Sequence, residues 1–172
     1  MDFLIRLARA QDAAGIARVH VQSWQAAYRG IMAETLLASL SVAKWTEDWK
    51  ERLASTARTT LVLERAGVVQ GWAAFGPAPA PEEPGQAAEL FGIYLAPEAW
   101  AQSLGGKLLA RAEGMLSERG YREVSLWVVD ANRRARRFYE KSGYVQAGGG
   151  QEVVRGGMPL NQLRYTKALG PG

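Results

Sequence analysis

The segment spanning residues 89–116 constrains the fold most, because a short apolar strand passes into an amphipathic helix through a brief loop. Residues 90–95 predict a buried strand, and a helix is expected to start near residues 103–105. The apolar side chains of that helix recur at helical spacing and are Leu104, Leu108, Leu109, Ala112, Met115 and Leu116. A helix start leaves backbone N–H groups unpaired, and Gly105 and Gly106 put no side chain in a ligand's way. The segment therefore predicts an anion site suited to phosphate.

The loop alone does not identify a ligand. It lacks the GxGxxG pattern of dinucleotide sites and the GxxxxGK[ST] pattern of nucleotide-hydrolysing enzymes. Two glycines between a strand and a helix also fit a structural role, the close packing of the helix on the sheet.

Length and composition narrow the class of protein. A chain of 172 residues is expected to form a single domain over residues 1–172. With no cysteine and one histidine, disulfides, a cysteine nucleophile and a multi-histidine metal site are excluded, so no metal is expected. The start of the chain is too charged for a signal peptide, so none is expected. No run approaches the ~18 consecutive apolar residues of a membrane span, so no membrane partner is expected. A cytoplasmic location is expected.

The rest of the pattern predicts an α/β (α+β) fold. Strands are expected at residues 3–8, 59–64, 68–75, 90–95, 123–129, 144–147 and 160–169. Helices are expected after Asp12, from Ser41, from residues 103–105 to 119 and over 132–142, with a further helical piece at 33–40. Four prolines make residues 76–85 a loop. Hairpins and helical crossovers together predict a mixed, mostly antiparallel central sheet of about seven strands flanked by about four helices.

A second segment, residues 126–144, resembles the second signature of the GCN5-related N-acetyltransferase (GNAT) superfamily. The residues that carry the likeness are Asn132, Ala135, Phe138, Tyr139, Glu140, Lys141, Gly143 and Tyr144. Residues 89–109 lie upstream, where that superfamily has its acetyl-CoA loop. The loop departs from the usual pattern, which begins with Gln or Arg and has glycine in fourth and sixth place; here those places hold Trp100, Ser103 and Gly105.

The resemblance implies a GNAT-like fold whose sheet is splayed in the middle, with acetyl-CoA as co-substrate. Its pantetheine arm is expected beside residues 92–95, and its pyrophosphate on the N–H groups of residues 102–106. Ser103 is expected to cap the helix. The residues implied to bind the cofactor are Ile93, Tyr94, Leu95, Ala101, Gln102, Ser103, Leu104, Gly105, Gly106, Asn132, Ala135 and Tyr139.

The same resemblance implies two catalytic residues, Glu89 and Tyr139. Glu89 is expected to accept the amine proton, through water, although a solvated carboxylate at a strand end would look the same. Tyr139 is expected to protonate the leaving thiolate, although it also belongs to a helical stripe typical of a core. Asn132 either binds the cofactor arm or caps its helix. Because the chain has no cysteine, direct transfer in a ternary complex is preferred over an enzyme thioester.

Aromatic side chains after the first helix are candidates for the acceptor site. Trp24, Tyr28 and Arg29 are expected to line it, the alternative being core packing. His20 has no visible partner and is interpreted as a surface or packing residue. The four arginines Arg133, Arg134, Arg136 and Arg137 either form a solvated face or supply a contact to the CoA phosphates.

These residues are compatible with three functions. An acetyl-CoA-dependent N-acetyltransferase acting on a primary amine of a small molecule or peptide is favoured. The alternative is a non-catalytic acyl-CoA-binding regulatory module of the same fold. A nucleic-acid partner is disfavoured, because the basic excess is small and lacks a basic and aromatic binding motif. A homodimer is left open.

Overall fold

The computed structural model describes residues 2–79 and 85–171, so residues 80–84 of the predicted proline-rich loop lie outside the described residues. The strands are β1 Leu4–Leu7, β2 Thr59–Arg65, β3 Val68–Pro77, β4 Ala87–Leu95, β5 Glu123–Val129, β6 Val145–Gln146, β7 Gln151–Arg155 and β8 Met158–Ala168. The helices are α1 Ala13–Ala27, α2 Glu34–Ala38, α3 Val42–Ala54, α4 Leu104–Glu118 and α5 Arg133–Lys141.

All strands join one sheet in the order β1-β2-β3-β4-β5-β8-β6, and β7 pairs with β8. Every pairing is antiparallel except β4 with β5, which run parallel. That parallel pairing covers only Ala87–Glu89 against Glu123–Ser125, although both strands continue beyond it. The two strands therefore separate after Glu89, which confirms the prediction of a mixed sheet splayed in the middle.

Helices cover both faces of the sheet. Leu104, Leu108 and Leu116 of α4 and Tyr139 of α5 pack with alternate side chains of β4 and β5 in the first core cluster. Ile16 of α1 and Trp49 of α3 pack on the other face, with Val62 and Trp72. In β4 a bulge falls between the partners of Ala74 and Phe75, so Phe91 is the extra residue and the strand bends there.

Three strands differ from the predictions. Strand β7 was not expected, because Gln151–Arg155 is mostly exposed on both sides and shows no apolar alternation. Strands β4 and β8 begin earlier than predicted, at Ala87 and Met158. Helix ends agree more closely, and the Ser41 hydroxyl caps α3 by accepting the Lys44 N–H at 3.2 Å.

Asp12 precedes α1 but does not cap it through its side chain, which corrects the expectation for this residue. Its carboxylate instead accepts hydrogen bonds from Arg6 at 2.8 Å and from the Arg9 N–H at 2.6 Å. The hydrogen bond from Arg6 holds the pKa of Asp12 below its usual range.

His20 is a packing residue, which is one of the two roles predicted for it. It is 4% exposed, stacks on Trp45 with ring centroids 4.0 Å apart, and accepts a 3.4 Å hydrogen bond at Nδ1 from Trp49 Nε1. Burial lowers the pKa of His20 to about 3, so the imidazole is neutral at physiological pH.

Candidate active site

The site is built around the gap between β4 and β5. The Ala96 N–H donates to the Gln70 carbonyl of the strand beside it. Because backbone groups alternate in direction along an antiparallel strand, Tyr94 then faces β3, while Ile93 and Leu95 face the gap. The backbone groups of Tyr94 therefore pair with those of Trp72. The backbone groups that are open to a ligand belong to Ile93 and Leu95.

Trp100 closes part of this edge. Its indole Nε1 donates to the Leu95 carbonyl at 2.9 Å. Of the backbone groups that face the gap, both groups of Ile93 and the N–H of Leu95 are left without a partner in β5. An extended chain with amide groups, lying in the gap as an added strand, would find these groups available.

The loop that leads into α4 is held in an uncommon backbone conformation. Ala101 and Ser103 have φ of 58° and 60°, a left-handed region that favours glycine. Ser103 precedes α4, yet its side chain makes no capping hydrogen bond, so the expected cap is wrong. The first helical bond runs from Lys107 N to Ser103 O, which leaves the N–H groups of residues 104–106 pointing out of the helix start.

The two glycines of this turn have different roles. A Cβ at Gly105 would lie 3.3 Å from Phe138 Cε2 and 3.5 Å from Leu95 Cδ1, so this glycine makes room for helix packing. A Cβ at Gly106 would have nothing within 4 Å. Both glycines were expected to open the backbone to a ligand, and the open space beside Gly106 alone fits that expectation.

One arginine of the basic cluster lies against the loop. The guanidinium Cζ of Arg134 is 3.4 Å from the centroid of the Trp100 ring, an arrangement typical of cation–π stacking. Arg136 is instead held by Asp130 at 2.7 Å and by the Tyr165 hydroxyl at 3.2 Å. Arg133 and Arg137 are exposed.

Helix α5 begins with an Asn cap, as one of the two predictions for Asn132 has it, and the cofactor contact stays a prediction. The Asn132 side-chain oxygen accepts the Ala135 N–H at 3.2 Å, and Asn132 is buried. Ala135, one turn into the helix, packs against the first core cluster.

Tyr139 lies on α5 beneath the gap. Its ring packs edge-on against Phe138 and Tyr144, with centroids 5.3 Å and 5.7 Å away. Burial raises the pKa of Tyr139, and the phenol of Tyr28 adds to the effect, although Tyr28 follows α1 on the other side of the sheet. Tyr139 therefore keeps its proton at neutral pH and lies close to residues of the opposite face.

Glu89 lies on the opposite face from Tyr139, where the parallel pairing of β4 with β5 ends. Its neighbours Ala88 and Leu90 pack in the core beside α4, so its own side chain points to the face of α1 and α3. Half-burial raises the pKa of Glu89, while the charges of Arg58 and Arg164 act in the other direction. A carboxylate whose pKa is raised towards neutrality is a better proton acceptor than an ordinary one.

Aromatic residues line the same face above the gap. Trp24 and Tyr28 pack together with centroids 5.2 Å apart, and the hydroxyl oxygens of Tyr28 and Tyr94 are 3.4 Å apart. The Trp24 Nε1 is buried without a hydrogen-bond partner in the described part of the chain. Arg29 is exposed, on the turn that follows α1.

Beside the turn that follows α1 is an open groove of about 630 Å³. It is lined by Gly30, Ile31, Val129, Asp130, Ala131, Arg133, Arg136, Met158, Pro159, Leu160 and Asn161.

Several residues on the face of α1 and α3, beside Glu89, were not predicted as site residues from the sequence. Trp127 of β5 and Arg164 of β8 are direct partners across the sheet and are half-exposed there. The alternation of buried Val124, Leu126 and Val128 could have placed Trp127 on the open face. Arg58 and Arg164 gave no such signal, because their positions depend on contacts between distant strands.

The described residues provide neither a metal site nor a membrane span. Within residues 2–79 and 85–171 no group of three or more His, Cys, Asp or Glu side chains is placed to hold a metal ion. Over the same ranges no helix has both the length and the apolar character that crossing a bilayer requires.

Comparison with known proteins agrees with the arrangement. The family model of the Acetyltransferase (GNAT) family matches residues 21–144. The uncharacterized N-acetyltransferase YuaI of Bacillus subtilis is 34% identical over 128 residues, which cover 74% of this chain and 72% of that protein.

Solved structures share the fold at lower identity. PaiA N-acetyltransferase of Thermoplasma acidophilum, in complex with coenzyme A, has a TM-score of 0.77 at 23% identity, covering 98% of this chain and 99% of that one. Salmonella typhimurium yncA, solved with its cofactor acetyl-CoA, has a TM-score of 0.74 at 20% identity, covering 100% and 96% of the two chains. With the splayed sheet, the open edge of β4 and the family match together, the chain belongs to the GNAT acetyltransferase family.

Proposed function

We propose that this protein is an acetyl-CoA-dependent N-acetyltransferase that transfers an acetyl group directly to a primary amine. The observation that carries the proposal is the gap between β4 and β5. On one side of it are open backbone groups and the start of α4, and on the two faces beside it are Glu89 and Tyr139. The described residues thus combine an edge for an amide chain, an anion site and two proton-transfer groups.

The residues present fit acetyl-CoA. The free backbone groups of Ile93 and Leu95 match the amides of a pantetheine arm. The N–H groups at the start of α4, over residues 104–106, suit its pyrophosphate, and Arg134 brings a cation to the same loop. Arg134 compensates for Trp100, which stands where the family usually has Gln or Arg.

The chemistry divides between two side chains. When bound, acetyl-CoA supplies an activated acetyl thioester. Glu89 accepts the proton of the incoming amine through water, because its raised pKa lies closer to neutrality than that of a free carboxyl. Tyr139 Oη donates a proton to the departing thiolate. The raised pKa of Tyr139 keeps the phenol protonated until that step. A backbone N–H of β4 that faces the gap stabilises the oxyanion.

A thermal-shift titration tests the cofactor. Acetyl-CoA at about 100 times its dissociation constant should stabilise the protein by roughly 2.7 kcal/mol. A panel of primary amines with detection of released thiol then tests transfer. No stabilisation at millimolar acetyl-CoA would refute the proposal.

Tyr139→Phe separates an enzyme from an acyl-CoA-binding module. Loss of the proton donor should lower kcat about 10²-fold or more and leave the stabilisation by acetyl-CoA nearly unchanged. Tyr121→Phe is the matched control, since Tyr121 follows the other end of α4. Stabilisation by acetyl-CoA without thiol release for any amine would favour the regulatory module.

A further inference from the structure

Two arginines lie beside Glu89, and one of them is brought there by a glycine. Gly76 of β3 is the register partner of Glu89. A Cβ at Gly76 would lie 2.9 Å from the Ala57 carbonyl oxygen and 3.5 Å from Arg58 Cα. Because Gly76 has no side chain, residues 57 and 58 lie directly over the sheet at the position next to Glu89.

The guanidinium of Arg58 points along this face. Its Cζ is 3.7 Å from the centroid of Phe91, the bulged residue two positions after Glu89. Arg58 also lines two adjoining cavities of about 260 Å³ and about 40 Å³ that share Arg52 and Thr60. Within the described residues neither cavity is lined by a carboxylate, and Arg58 has no acidic side chain within ion-pair distance.

Arg164 approaches Glu89 from the other side. It pairs with Trp127 across the sheet, yet its Nη2 lies 3.9 Å from Glu123 Oε1, four residues back along β5. The side chain therefore extends past Ser125, which is the register partner of Glu89 in β5. Its contact with Glu123 is at the limit of an ion pair, so its charge is not fully compensated.

Two cations beside the proton acceptor disfavour a simple amine. An amine arrives mostly protonated at neutral pH, and a charge of the same sign is repelled at this position. A polyamine or an aminoglycoside would be repelled more strongly. An amine with its own negative group would be attracted instead, because an arginine fork binds a carboxylate through two parallel hydrogen bonds.

We propose that the acceptor is a small primary amine that also carries a carboxylate, such as an amino acid, and that Arg58 binds this carboxylate while Glu89 receives the amine proton. The inference rests on the proposed acetyltransferase function and narrows its substrate. Arg164 provides a second positive charge on the far side of Glu89 and helps orient the same group.

Matched pairs of amines test the inference. Amino acids are compared with their carboxamides in the thiol-release assay, with kcat/KM corrected for the fraction of neutral amine. We expect the best acid to exceed its carboxamide by about tenfold or more. In Arg58→Gln that preference should disappear, mainly through a raised KM, and Arg58→Lys should restore part of it.

Arg137→Gln is the control, because it removes an exposed arginine of α5. All variants should keep the wild-type thermal shift with acetyl-CoA, which shows that the fold and the cofactor site are intact. Equal use of acids and carboxamides, better use of polyamines, or an unchanged preference in Arg58→Gln would overturn the inference alone. Failure of every amine, with acetyl-CoA still bound, would overturn the enzymatic function and this inference with it.

Discussion

Gly106→Asp places a negative charge where the cofactor's pyrophosphate is proposed to lie. A Cβ at this position meets no atom within 4 Å, so the side chain fits without repacking. In the first turn of a helix the Cβ points towards the N-terminus, which directs the carboxylate at the free N–H groups. The variant therefore competes with the ligand by charge and leaves the core unchanged.

The magnitude follows from Coulomb's law. Two unit charges about 5–6 Å apart at an effective dielectric constant of about 20 repel by roughly 3 kcal/mol, and solvent at this exposed turn reduces that to about 1–3 kcal/mol. Acetyl-CoA should bind about 5- to 150-fold more weakly. The fold itself should gain about 1 kcal/mol, because a helical glycine is replaced and an acid is placed at the positive end of the helix.

Calorimetric titration with CoA and thermal unfolding measure the two effects. Gly106→Asn is the matched control, since it has the same shape without the charge and should retain most of the affinity. A gain in stability of this size corresponds to a rise in Tm of about 2–4 °C. Equal losses of affinity in the Asp and Asn variants would refute the electrostatic reasoning, and full affinity in Gly106→Asp would place the phosphates elsewhere.

Four further predictions follow from the site and the core. Arg134→Ala should weaken CoA binding about 5- to 20-fold because a cation is lost at the loop, and Arg137→Ala should not; equal effects in titration would contradict this. Ser103→Gly should raise the free energy of unfolding by up to about 1 kcal/mol, since φ is 60°; Ser103→Ala, which keeps the strain, should not. Glu89→Gln should lower kcat/KM about 10²-fold or more and abolish the acidic limb of the pH profile of kcat/KM. That limb exists because the base must be unprotonated, and we expect it above the ordinary carboxyl pKa because the pKa of Glu89 is raised. Between pH 6.5 and 3 the unfolded chain binds a proton that folded His20 excludes, so stability falls as pH falls, by about 2 kcal/mol at pH 5; His20→Phe should flatten this slope in denaturant titrations.

The elements that carry the family likeness were predictable because their signals are local. The apolar residues of α4 recur with helical period, and Asn132 marks the start of α5 by a type of residue that caps helices. Such patterns need no knowledge of which strands pair. The same holds for the hairpin of β2 and β3, which surrounds a short turn containing Gly67.

Other parts of the site depend on distances that a sequence does not express. Arg58 lies near Glu89 because β3 and β4 pair with Gly76 opposite Glu89. Arg164 lies on the same face through the register of β5 and β8. The pattern predicts that Gly105 faces a ligand, whereas Phe138 lies against it. Ser103 gave no sign that it would adopt a left-handed conformation, which serine rarely does.

The separation of β4 from β5 also bears on how the protein behaves without its ligand. Ile93 and Leu95 present unpaired backbone groups inside a continuous sheet, and such groups form a template for pairing with another extended chain. The indole of Trp100 protects one of these carbonyls, and the others remain available. We therefore expect resistance to aggregation and to proteolysis to rise with CoA occupancy, so that the persistence of the protein in a cell would follow the supply of its co-substrate.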